Sequence, residues 1–267
     1  MYICSEYISK GEKMFKINDN VSRISYNHDI IFKITEIKDG IIYLEGYEKR
    51  LVATALESDL VLVDNAKIIE VEEASRNRVK GIKKLSRHKL HMTGKILHID
   101  ADKDYLEKCL KLYEELSLPA YGVHMNEGMI KNHILDLIDQ LDPDIIVLTG
   151  HDSYNKKGIK ELTNYRNTID YVEAVKQIRK HYSKDHIIVF AGACQSNFEA
   201  IMASGANFAS SPKRVNIDAY DPAIVAIKAA ITPFNEIINL EEIKDLLESK
   251  KNGISGVESY GKMRLFL

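Results

Sequence analysis

The stretches IIVLTGHD, residues 145–152, and IIVFAGACQS, residues 187–196, decide the reading of this chain. Each opens on a short apolar run, 145–148 and 187–190, and closes in a glycine-containing turn that carries a reactive residue type, His151 in one and Cys194 in the other. Uninterrupted apolar runs of this length, rich in Ile and Val, are strands buried on both faces, as in parallel sheets covered by helices.

The neighbouring text repeats the pattern. Strands are expected at 95–99, 120–124 and 207–209, with helices at 103–116, 129–141, 169–182, 196–204 and 222–230, where apolar residues recur at helical spacing. Strands alternating with helices make residues 95–267 an α/β domain with a mainly parallel sheet flanked by helices. Upstream, residues 21–24, 30–37, 41–44 and 60–63 read as short β-branched strands, with Lys38-Asp39-Gly40 as a hairpin turn. Residues 1–70 therefore suit a small SH3-like β-barrel, a structural or docking module in which no chemistry is visible. Between the two lies a basic linker at 71–94, carrying Arg76, Arg78, Lys80, Lys83, Lys84, Arg87 and Lys89. It reads as a solvated inter-domain segment rather than a nucleic-acid site, and it offers many bonds to a trypsin-like cleavage.

Composition excludes several function classes. With 37 basic and 39 acidic residues among 267 the net charge is −2, so no global field points to nucleic acid or membrane as partner. The first residues lack the order of a signal peptide, and no stretch approaches the roughly 20 apolar residues of a membrane span, so the expectation is a cytoplasmic protein. Cys4, Cys109 and Cys194 include no CxxC pair, which argues against a disulfide framework and a thiolate zinc site. His124, His133, His181 and His186 form no metal-ligand spacing, and Cys109 sits on an amphipathic helix where core burial is the default.

In open parallel sheets, functional residues lie on loops past the carboxyl ends of strands. If the two quoted strands are neighbours, His151 and Cys194 emerge at one edge within side-chain reach. A thiol must lose its proton to attack a carbonyl, and an imidazole titrating near neutrality can take that proton and later return it to a leaving amine. The helix expected after Cys194 would bring N-terminal amides near the sulfur, and amides near 151–152 and 194 would face an oxyanion. Either residue alone has an inert reading, a core thiol or a turn-capping imidazole. Their equivalent positions on two strand-to-helix units favour chemistry.

Other constellations compete. Asp100 and Asp102 follow the first α/β strand as in phospho-receiver domains, with Lys213 as a partner, and would bind Mg²⁺ through oxygen ligands. That non-enzymatic reading is weakened because the third strand ends in Thr-Gly-His where an acceptor Asp would be expected, so a strand-end cap is preferred for Asp100. A glutamine-amidotransferase arrangement would place Cys before His and Gly two residues after the nucleophile, where this chain has Ser196. Residues 153–168 form a long polar stretch that suits a substrate loop or a plain surface connection.

His151 precedes Cys194 by 43 positions, and Ala193-Cys194 follows an apolar strand, a layout that resembles the caspase, gingipain and clostripain clan and implies a caspase-like three-layer sandwich. Asp152 departs from the Gly usual in that clan. Over longer text, LHIDADKDYLEKCLKLYEELSLPAYGVHMNE, TGHD, NYRN, YVEAVKQIRK, FAGACQSNFEAI, ASGANFASSPKRV and DP closely resemble the YabG family of sporulation-specific proteases. The resemblance implies a cysteine endopeptidase of the sporulating mother cell. It would need no cofactor or metal, act on spore coat and related spore proteins, be associated with the coat, and cut after Arg. A guanidinium is best held by a carboxylate fork, so an acidic S1 pocket is expected. Candidates are Asp218 and Asp221 in SSPKRVNIDAYDP, with Asp221 preferred although an Asp before Pro222 also suits a helix start, and Asp152 beside the dyad. Self-cleavage in the basic linker is a further expectation.

Overall fold

A computed structural model of the chain describes residues 15–82 and 91–265. Cys4 lies outside them, as do Lys83, Lys84, Arg87 and Lys89 of the basic stretch.

The N-terminal unit is a five-stranded antiparallel sheet of β1 (Asn20–Arg23), β2 (Ile31–Lys38), β3 (Ile41–Gly46), β4 (Val52–Leu56) and β5 (Leu60–Leu62), in the order β4-β3-β2-β1-β5. The β2–β3 turn works because Asp39 and Gly40 both take positive φ, +51° and +76°, which matches the twist of a tight hairpin. Sequence periodicity did not reveal β4. Its text, VATAL, is short and alternates weakly, and pairing with β3 decides it. Helix α1 (Asn65–Ile82) then takes up the first part of the basic stretch, residues 71–82.

The α/β unit runs β6 (His91–Met92), β7 (Ile96–Asp100), α2 (Lys103–Glu115), β8 (Ala120–His124), α3 (Glu127–Leu141), β9 (Ile145–Thr149), α4 (Thr168–His181), β10 (Ile188–Ala191), α5 (Phe198–Ala203), β11 (Phe208–Ser210), α6 (Asp221–Ile231), α7 (Lys250–Gly253), β12 (Ile254–Gly256) and β13 (Arg264–Leu265). Its sheet has the order β12-β11-β10-β9-β7-β8, all parallel except β12, and β13 pairs with β6 apart from it. The apolar strands alternate between two cores. Ile145 and Val147 face the side covered by α2 and α6, with Leu112, Tyr113, Ile224 and Ile227, while Ile146 and Leu148 face Ile134, Val175 and Ile201 of α3, α4 and α5. Burial on both faces is why these strands read as uninterrupted apolar runs.

A third apolar cluster joins the two units. Phe32 and Leu44 of the small sheet, with Leu51 just before β4, share it with Cys194 and Ile217 of the α/β unit, so Cys194, three residues past β10, faces the N-terminal unit rather than solvent.

Candidate active site

Strands β9 and β10 are parallel neighbours, with Leu148 opposite Ala191, so the loops carrying His151 and Cys194 leave the same edge side by side. Glycine is required in both turns. Gly192 has φ +107°, and a Cβ on Gly150 (φ +156°) would stand 2.4 Å from Glu127 Oε1. Asp152 ties the loops together. Its buried carboxylate accepts from Thr168 Oγ1 and from Ser196 Oγ (2.8 Å), as well as from the amides of Ser153 and Asn167. Ser196 Oγ in turn accepts the Ala193 amide at 3.0 Å. Burial raises the Asp152 pKa against the opposing effect of these donors.

His151 is nearly fully buried. Its Nε2 lies 3.3 Å from Glu45 Oε1 on β3 and 3.4 Å from Asp102 Oδ2, and its ring is 6.0 Å from that of Tyr105. Burial alone would lower the pKa of this imidazole, but Asp102 and Glu45 outweigh it and hold the ring above its ordinary value. The backbone N–H of His151 donates to Glu127 Oε1 at 2.8 Å. Among the described residues, Glu45, Asp102 and His151 form the one group offering three ligand atoms within 4.8 Å of each other, so these are the residues that would hold a metal ion.

A pH titration follows from this geometry. Glu45→Gln removes one of the carboxylates favouring the imidazolium, so the His151 pKa should fall, as read from its ring resonances by NMR in the full chain. An unchanged pKa would mean that Asp102 alone sets it.

Cys194 is buried, and its Sγ accepts the Ile217 amide at 3.1 Å. Among the described residues no hydrogen bond joins Sγ to His151. Burial pushes the thiol pKa up to about 12. Gln195 takes φ +57°, and α5 starts only at Phe198, capped by Asn197 accepting from the Ala200 amide. The helix expected from residue 196 therefore begins later than its sequence suggests, because Ser196 is committed to Asp152.

Of the acidic S1 candidates, Asp218 and Asp221 are near neighbours, with the Asp221 amide donating to Asp218 O at 3.2 Å. Asp221 Oδ atoms accept from the Glu248 and Ser249 amides and from Ser249 Oγ, fastening the start of α6 to the C-terminal segment, and its pKa is pushed up to about 6 by burial and the nearby Asp218. Asp218 accepts from Arg78 at 2.9 Å and lies 4.0 Å from Lys49. At the base of the site stands Asp100. Its Oδ2 takes Arg50 Nη1 at 2.6 Å and Thr149 Oγ1 at 2.8 Å, and its Oδ1 takes the Asp102 amide.

The sequence pattern described as YabG peptidase U57 matches residues 16–267. The chain is also 39% identical over 281 aligned positions to the sporulation-specific protease YabG of Bacillus subtilis (strain 168), covering 94% of this chain and 97% of that protein. The chain belongs to the YabG peptidase family. The solved structure of a two-component system response regulator/GGDEF domain protein superposes with a TM-score of 0.29 at 12% identity, over 55% of this chain and 50% of that one, too slight a likeness to bear on fold or function.

Membership of the YabG family does not favour the phospho-receiver reading. Asp100 is fully buried against Arg50, and Asp102 is turned to His151 and the start of α2. Sequence reasoning missed Arg50, Glu45 and Tyr105 as residues of the candidate site, because nothing in EGYEKRLVAT or DKDYLEK marks them out locally. The strand-end position of Asp100 was the one usable signal.

Proposed function

We propose that this protease is a cysteine endopeptidase that cleaves after Arg, with Cys194 as nucleophile and His151 as general acid/base. The observation that carries the reading is the emergence of His151 and Cys194 from the carboxyl ends of adjacent parallel strands, in a chain of a peptidase family. In the reaction the Cys194 thiol passes its proton to His151 and the sulfur bonds to the scissile carbonyl carbon. The oxyanion then faces the Cys194 amide. Collapse breaks the C–N bond as His151 returns the proton to the leaving amine, and water hydrolyses the thioester. Catalysis requires Sγ to leave the Ile217 amide and turn toward His151, a tightening that commonly accompanies substrate binding.

The same reading takes the α/β unit as a caspase-like sandwich and the small sheet as an SH3-like module. The substrates would be spore coat and related spore proteins in the mother cell, with the enzyme associated with the coat. Its domains would run 1–70, 71–94 and 95–267. Among the described residues no helix is long and apolar enough to cross a membrane.

The test is a panel of fluorogenic peptides with Arg, Lys, Asp or Asn at P1. Turnover confined to the Arg peptide is expected. Turnover of none, with Cys194 unreactive to iodoacetamide in the folded chain even when peptide is present, would remove the reading.

A further inference from the structure

Residues 48–51, between β3 and β4, cross the carboxyl edge of the large sheet. Ala219 N–H donates to Glu48 O at 3.0 Å, Lys49 bridges Asp218 in antiparallel fashion, and Leu51 bridges Asp152 in parallel. Between them, both main-chain polar groups of Arg50 are taken by the α/β unit. Its N–H donates to Ile217 O at 3.0 Å, and its carbonyl accepts the Cys194 amide at 3.4 Å. That amide is the donor an oxyanion would use.

The side chain completes the pattern. Arg50 is 0% exposed and is the largest fully buried side chain among the described residues. Its guanidinium meets Asp100 Oδ2 at 2.6 Å and Ala219 O at 2.9 Å, and lies 5.3 Å from the Tyr105 ring centroid. Thr149 and the Asp102 amide hold the receiving carboxylate. Charged side chains are almost never this deeply buried unless paired, and docking of two units does not require it. A planar cation on a pre-oriented carboxylate, with carbonyl and aromatic walls, is how an arginine-selecting pocket binds its ligand.

We propose that Arg50 occupies the primary specificity pocket in cis. Residues 48–51 form a substrate-like plug, Asp100 is the carboxylate that selects arginine, and the folded enzyme is self-blocked until the segment withdraws. The inference rests on the endopeptidase reading above. Two features of the site agree with a blocked state: Sγ is turned to Ile217 rather than His151, and the thiol sits in the core shared with the small sheet.

The test has a binding arm and a rate arm, both in the full chain. In a Cys194→Ala background, Arg50→Ala should open the pocket to agmatine, which carries the arginine side chain. Binding should appear by calorimetry and as a rise in melting temperature, and be absent when Arg50 is present or when Asp100→Asn is added. With Cys194 intact, Arg50→Ala should raise kcat/KM on the Arg peptide about 10–100-fold, since a site open in only 1–10% of molecules binds that much more weakly. If Arg50→Ala does not fold, Arg50→Lys decides the matter, because a shorter cation holds Asp100 less well and should raise kcat/KM several-fold. A folded variant with neither agmatine binding nor faster turnover overturns the plug. Agmatine binding through Asp100 with no peptide cleaved by any variant removes the endopeptidase reading and leaves the pocket. Wild-type Arg cleavage unchanged by Arg50 replacement removes the plug and leaves the endopeptidase.

Discussion

Cys194→Ala should abolish turnover of the Arg peptide, a loss on the order of 10⁴-fold or more, because no other group can form the thioester. His151→Ala should cost on the order of 10²–10⁴-fold, the usual worth of a positioned acid/base. The two variants should also differ in thiol chemistry. With His151 removed, alkylation of Cys194 by iodoacetamide should slow at neutral pH, since the imidazole that would take its proton is gone. Neither change should unfold the chain. Cys194→Ala removes the acceptor for the Ile217 amide, a cost of about 1 kcal/mol, visible as a small fall in melting temperature. Residual turnover in Cys194→Ala above about 1% of wild type would mean that another residue is the nucleophile.

The second large effect concerns stability. Asp100→Ala leaves the Arg50 guanidinium buried without its carboxylate and should destabilise the fold by about 3–5 kcal/mol, measured by urea denaturation. Replacing both partners, Arg50→Met with Asp100→Leu, should recover much of that loss, because the desolvated charges disappear together. Dependence on pH follows from the same pair. Burial alone would raise the Asp100 pKa, but the Arg50 guanidinium and His98 outweigh it and hold the carboxyl well below the usual carboxylate range. A carboxyl depressed in the folded state contributes stability above its unfolded pKa of about 3.9 and loses it as pH falls toward the folded value. The urea midpoint of the wild type should therefore drop steeply below about pH 4, and that of Asp100→Ala should drop less. Parallel profiles would mean that other carboxylates dominate the acid response.

Much of the fold was legible in the text because the signals are local. The strands at β7, β8, β9, β10 and β11 and the helices between them fall within a few residues of the stretches read from periodicity. The hairpin at Asp39-Gly40 follows from residues that tolerate positive φ. Departures came where tertiary partners override local pattern. Strand β4 is held by its pairing with β3, and the delayed start of α5 reflects the capture of Ser196 by Asp152.

The sequence by itself determined the parallel α/β layout and nominated His151 and Cys194, since a strand, a glycine turn and a reactive side chain are contiguous in the chain. Only the tertiary structure decided what surrounds them. Glu45 and Asp102 reach His151 from separate elements, and Asp100 receives Arg50 from fifty positions away. A buried ion pair and a main chain laid across a sheet edge depend on which surfaces meet in space, and spacing along the chain carries no record of that.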